Sequence, residues 1–67
     1  GFPDLAALKN GTFYAMELKA ENGRPTASQL EVLARLDKAG GYTATCYSVD
    51  AAIRVLESWG ILVGKAN

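Results

Sequence analysis

The sequence predicts a small α/β domain, a mixed sheet built from a β-hairpin plus a crossover strand and flanked by helices. The first indication is Asn10-Gly11, the dipeptide favoured in type I′ turns, which separates two strand-like segments. The second is the order β-β-α-β-α, in which segments with helical periodicity alternate with a Thr- and Tyr-rich strand. A chain of 67 residues has the length of one domain, so residues 1–67 are treated as a single unit.

The predicted hairpin strands cover residues 4–9 and 12–20. With a two-residue turn between them, Asp4 lies directly opposite Glu17, and directly opposed side chains share a sheet face with Cβ atoms about 5 Å apart. Lys19, two residues further along, projects to the same face. This face therefore collects two acids and a lysine over an otherwise apolar row, Ala6, Leu8, Phe13 and Ala15.

Residues 27–39 have the periodicity of an amphipathic helix that begins with a capping box, with Thr26 as N-cap and Gln29 at the third helical position. Gly40-Gly41 ends it. The apolar stripe predicted to face the sheet also contains Gln29: Gln29, Val32, Leu33 and Leu36.

Residues 42–47 form the predicted third strand, parallel to the second because a right-handed helical crossover joins them. A second helix, capped by Ser48, covers residues 49–59 and should bury Val49, Ala52, Ile53, Leu56 and Trp59. The apolar tail 61–63 fits an extra strand or a dimer contact. Tyr42 and Tyr47 fit stacking on DNA and packing at a sheet edge equally well.

Composition excludes several functional classes. With no histidine and one cysteine, the chain can carry neither Ser-His-Asp nor Cys-His catalysis, nor a disulfide. No apolar run approaches the roughly 20 residues of a membrane span, and no signal-peptide pattern is seen, so we expect a cytoplasmic domain with no membrane partner. Seven basic and seven acidic residues cancel, which leaves nucleic acid open as a partner.

The opposed carboxylates require a positive charge, because like charges facing each other destabilise a strand pair. Lys19 supplies one charge, and a divalent cation would supply two. Oxygen ligands without histidine suit Mg²⁺ or Mn²⁺, which can polarise a phosphodiester and activate water, and the main-chain carbonyl of Leu18 could complete the coordination. The alternative is an ordinary ion pair between Asp4 and Lys19, with Glu17 reaching solvent.

Pro3-Asp4, followed by Glu17-Leu18-Lys19 on the next strand, resembles the PD-(D/E)xK nuclease signature. A longer ordered set covers nearly all of the chain and resembles the virus-type replication-repair nuclease (VRR-Nuc) family. That set comprises Gly1-Phe2-Pro3-Asp4-Leu5, Phe13-Tyr14-Ala15-Met16-Glu17-Leu18-Lys19, Gly23-Arg24, Gln29, Ser48-Val49-Asp50-Ala51 and Trp59-Gly60.

The resemblance implies a metal-dependent DNA endonuclease that acts on branched or junction DNA, like a Holliday junction resolvase, and works as a homodimer in a bacterial or phage-infected cell. Asp4 and Glu17 would be metal ligands, Lys19 the catalytic lysine and Gln29 the helix residue facing the site. Gln29 has a second explanation, since a capping box alone would hold it. Arg24, beyond Lys19 at the same end, is a candidate phosphate contact.

Members of this family carry an N-terminal helix with a glutamate, and a first strand, before the PD segment. Only the motif itself precedes the hairpin here. Either an upstream segment that carries the helix is missing from this sequence, or Gly1 is the start of the chain and the core lacks that helix unless a partner chain supplies it. Two alternatives follow: a truncated, non-catalytic DNA-binding or assembly module of the same fold, or an intact nuclease for flaps or nicks.

Overall fold

Three strands and two helices follow one another in the predicted order within residues 2–61, the part of the chain that the computed structural model describes. Gly1 of the quoted motif, and residues 62 and 63 of the predicted tail, lie outside that part. The elements are β1 (Leu5–Lys9), β2 (Thr12–Leu18), α1 (Ala27–Lys38), β3 (Tyr42–Cys46) and α2 (Val49–Ser58). A small mixed α/β fold is confirmed at this level.

The hairpin has the predicted turn and register. Asn10 and Gly11 have φ angles of 53° and 79°, the left-handed pair that a type I′ turn needs. The antiparallel ladder runs from Lys9 opposite Thr12 to Leu5 opposite Met16. The ladder stops there, so the first strand was predicted one residue too long, at Asp4. The second strand, predicted to extend to residue 20, ends at Leu18.

The sheet has the order β1-β2-β3, with β2 and β3 parallel as predicted. Because side chains alternate along a strand, Ala15 and Glu17 of β2 face one side and Met16 the other. The second side carries a core of Met16, Cys46 and Ala52, around which the partly buried residues are Ala44, Ala51, Val55, Leu56 and Trp59. Burial in this core raises the pKa of the Cys46 thiol.

Both helices begin as the sequence predicts. Thr26 and Gln29 form a complete capping box at α1, and the Ser48 side chain accepts from the Ala51 N–H at α2. The predicted inner face of α2 was partly wrong, because Val49 and Ile53 are 74% and 38% exposed. Ala52, Leu56 and Trp59 pack at the core as predicted, joined by Ala51 and Val55. This leaves Val49 and Ile53 lining an open groove.

Helix α1 passes close to the sheet where it ends. A Cβ at Gly41 would lie 2.8 Å from the Phe13 carbonyl oxygen and 3.0 Å from that of Leu36, both main-chain atoms. The Gly41 N–H donates to the same Leu36 carbonyl. The connection from α1 to β3 therefore passes between carbonyls of β2 and α1 at a separation that only glycine permits.

We predict that Gly41→Ala lowers the free energy of unfolding by about 1–3 kcal/mol, because the added methyl must push backbone apart. Urea denaturation followed by circular dichroism measures the loss. Gly11→Asn is the control: no atom lies within 4 Å of its Cβ position, and asparagine tolerates a left-handed conformation. An equal loss in both variants would contradict the close approach.

Candidate functional site

Glu17 is a buried acid near the end of the central strand, only 1% exposed. Lys19 follows the strand, and its N–H donates to the Cys46 carbonyl at 2.9 Å, so the backbone stays beside β3. The Lys19 ammonium lies 3.3 Å from Glu17 Oε2, with its side chain 20% exposed. Of the predicted site residues, Glu17 and Lys19 are therefore brought together in an ion pair whose acid is buried and whose lysine is partly exposed.

Gln29 makes the capping-box bond and also contacts Glu17. Its Oε1 accepts from the Thr26 N–H at 2.8 Å, which is the capping-box bond. Its Nε2 donates to Glu17 Oε2 at 2.6 Å. The amide oxygen accepts a hydrogen bond at the start of α1, and the amide nitrogen therefore points toward Glu17 as a donor.

The other oxygen of Glu17, Oε1, is buried and has no hydrogen-bond partner among the described residues. An ionised carboxylate only accepts, so it must find a donor or a cation. Buried polar atoms are rarely left unpaired, and an exception indicates a water, an ion or a functional group at that point. Glu17 therefore has one oxygen held by Lys19 and Gln29 and one buried oxygen whose hydrogen-bonding capacity is unused among the described residues.

Asp4 is not placed opposite Glu17 in the ladder, which corrects the predicted face. It lies before β1, is exposed, and its Oδ2 accepts from the Leu18 N–H at 2.8 Å. The ion pair of the site is Lys19–Glu17, so the alternative pairing of Asp4 with Lys19, and a solvent-exposed Glu17, are both wrong. The Leu18 N–H lies past the last antiparallel ladder pair, and the Asp4 carboxylate takes the place of a main-chain acceptor there.

Leu18, the predicted main-chain ligand, follows Glu17 in β2 and donates its N–H to Asp4. A ladder residue directs its N–H and C=O to the same neighbouring strand. Since the Leu18 N–H points to Asp4 on the β1 side, its carbonyl belongs to that side as well. The acid at Asp4 and the predicted main-chain ligand thus share one end of β2.

Arg24 lies in the exposed loop between β2 and α1. It lines an open polar recess together with Glu21, Asn22, Gly23 and Tyr47. Tyr47 also lines the neighbouring apolar groove, to which Lys19 belongs. Arg24 is therefore on the same end of the sheet as Lys19, with Tyr47 between the two openings.

The donors fit a hard cation. They are carboxylate and carbonyl oxygens, and Mg²⁺ is commonly held by one or two carboxylates together with waters and substrate phosphates. Within residues 2–61 no group of three or more His, Cys, Asp or Glu side chains could hold a metal by itself. A cation here would therefore need water or a substrate phosphate to complete its coordination.

Comparisons of the chain with protein-family models, curated proteins and solved structures give no match. The VRR-Nuc resemblance therefore rests on the quoted residues alone. In the part of the chain that the structure describes, no helix is long and apolar enough to cross a bilayer.

We predict that Gln29→Ala costs about 1–3 kcal/mol of stability, because it removes the donor to a buried carboxylate. Gln29→Glu keeps an acceptor for the Thr26 N–H but places a second carboxylate against Glu17. It should be destabilised at neutral pH and recover as the pH falls, because the folded state binds a proton that restores a donor to Glu17.

Urea denaturation at a series of pH values measures both effects, with Gln29→Ala as the variant that lacks the acid-dependent recovery. A Gln29→Glu protein as stable as the parent chain at neutral pH would contradict the contact between Gln29 and Glu17.

Proposed function

We propose that this chain is an Mg²⁺- or Mn²⁺-dependent DNA endonuclease that hydrolyses phosphodiester bonds in branched DNA. The observation that carries the proposal is the buried carboxylate of Glu17, with one oxygen held by Lys19 and Gln29 and the other without a partner among the described residues. Burying a charged carboxylate is costly when one of its oxygens has no partner, and a cation on Oε1 would offset that cost.

The residues available fit the metal-binding role. Glu17 Oε1 would be the buried ligand, and Asp4 and the Leu18 carbonyl oxygen would lie at the outer side of the same strand end. When bound, the cation would supply Lewis-acid polarisation of the phosphate and a more acidic water. Asp4 keeps one carboxylate oxygen for this purpose, since Oδ2 accepts from the Leu18 N–H.

Lys19 would stabilise the negative charge that develops on the phosphate. Its side chain is partly exposed and its ammonium lies 3.3 Å from Glu17 Oε2, so it would face a phosphate oxygen without leaving the acid. A preorganised cation of this kind acts on charge as it develops and needs no rearrangement during the reaction. Gln29 would orient Glu17, and Arg24 in the neighbouring recess would bind a phosphate along the strand.

The proposal extends to a homodimer acting in the cytoplasm, as the VRR-Nuc resemblance implies. Phe2 and Leu8, before and within the edge strand β1, are 79% and 72% exposed. An edge strand with exposed apolar side chains favours pairing with another chain. A second copy would also add buried area to a chain whose size limits its own core.

Cleavage of a synthetic four-way junction in Mg²⁺ or Mn²⁺ tests the activity, with flap, nicked and linear duplexes as alternative substrates. Lys19→Ala should lower the rate by about 10²–10³-fold, because it removes the charge that faces the phosphate. Lys38→Ala, which removes an exposed lysine from the last turn of α1, is the matched control and should leave the rate unchanged.

Metal-dependent cleavage of a flap or nicked duplex in preference to the junction would change the proposed substrate but leave the proposed catalytic site unchanged. Binding of DNA without cleavage of any substrate would favour the non-catalytic module. Cleavage that Lys19→Ala leaves intact would contradict the role of this site.

A further inference from the structure

Tyr47 occupies an exposed position beside the proposed site. Glu17 and Leu18 lie opposite Thr45 and Cys46 in the parallel ladder, so Tyr47 follows in register with Lys19. The Lys19 N–H bonds to the Cys46 carbonyl, which keeps the two chains together at this point. Tyr47 is 44% exposed. An aromatic side chain is thus presented to solvent at the end of the sheet that carries Glu17 and Lys19.

Tyr47 lines two neighbouring openings in the surface. On one side is the polar recess that contains Arg24, and on the other is the apolar groove that contains Lys19, Val49 and Ile53. Tyr47 therefore lines one opening with Arg24 and the other with Lys19, beside apolar surface. Aromatic side chains next to a cationic groove are what proteins use to bind single-stranded nucleic acid. The bases stack on the ring while the cations contact the backbone.

We propose that Tyr47 is a stacking platform for an unpaired base next to the scissile phosphate, and that Arg24 binds a neighbouring phosphate of the same strand. This inference rests on the proposed nuclease function and narrows the branched substrate to DNA with a single-stranded segment at the cleavage site, such as a flap, in place of a fully paired four-way junction. In a continuous duplex both faces of a base are covered by its neighbours, so the ring of Tyr47 would have no partner.

The charges around the recess favour a nucleotide over a free anion. Glu21 lines the same recess as Arg24, and its carboxylate repels a bare phosphate. A nucleotide has its base as a second anchor on Tyr47, which a free anion lacks. The exposed Val49 and Ile53 provide apolar surface for the sugar and base edge.

The same strand supplies a matched control. Tyr42 is at the other end of β3 and is 54% exposed, similar to Tyr47. Its ring stacks on Tyr14 with centroids 5.4 Å apart, so one of its faces is already occupied. A general effect of removing an exposed tyrosine from β3 would appear in Tyr42→Ala as well as in Tyr47→Ala.

The test is fluorescence anisotropy with a labelled duplex that has splayed single-stranded arms, compared with a fully paired duplex of the same length. Binding is measured in Ca²⁺ and in chelator, so that cleavage does not interfere. Tyr47→Ala should weaken binding of the splayed DNA about tenfold and leave the paired duplex unaffected. Tyr47→Phe and Tyr42→Ala should match the parent chain, and circular dichroism checks that each variant is folded.

Equal binding of splayed DNA by the parent chain and a folded Tyr47→Ala would overturn the proposal, as would a loss of the same size on paired duplex. Tyr47-dependent binding by a chain that cleaves none of the substrates would support the platform while the nuclease function fails. Cleavage that requires Lys19 but is indifferent to Tyr47 would support the nuclease and overturn the platform.

Discussion

The side chain of Gln29 links the start of helix α1 to the central strand β2 and holds the carboxylate of Glu17, the most buried acid among the described residues. Through Oε1 it closes the capping box of α1, and through Nε2 it holds Glu17 on the central strand. The start of the helix and the acid are therefore fixed by one planar amide. A displacement of α1 would remove a donor from a carboxylate that is 1% exposed, which makes the position of the helix and the chemistry of the site interdependent.

The buried acid is also the feature that a purely structural account leaves unexplained. Lys19 and Gln29 both contact Oε2 of Glu17, so the negative charge is compensated at that oxygen only. Burying a charge is favourable only when its remaining hydrogen-bonding capacity is used. An oxygen ligand with this open capacity, next to an exposed acid and a lysine, is suited to a cation and a phosphate, and this links the packing of the sheet to the proposed hydrolysis.

Local patterns allowed much of the fold to be predicted. The Asn10-Gly11 turn fixes the hairpin register, and the spacing of Thr26 and Gln29 fixes the start of α1, because each depends on residues close in sequence. The register in turn placed Glu17 and Lys19 on one face. Asp4 was misplaced because alternation was extended past the last ladder pair, where the free Leu18 N–H attracts its carboxylate. Periodicity likewise gave the stripe of α2 but not its rotation against Met16 and Cys46.

The unpartnered oxygen of Glu17 could not be predicted, because it depends on how α1 and β2 approach each other in space. Whether this oxygen binds a cation is also the question that a measurement can answer most directly. Mn²⁺ binding measured by titration calorimetry, on the parent chain and on Glu17→Gln, tests whether this oxygen is a cation ligand. Glu57→Gln, which removes an exposed acid of α2, is the control for lost charge. The account predicts binding that Glu57→Gln retains and that a folded Glu17→Gln weakens at least roughly tenfold; equal affinity in all three proteins would contradict it.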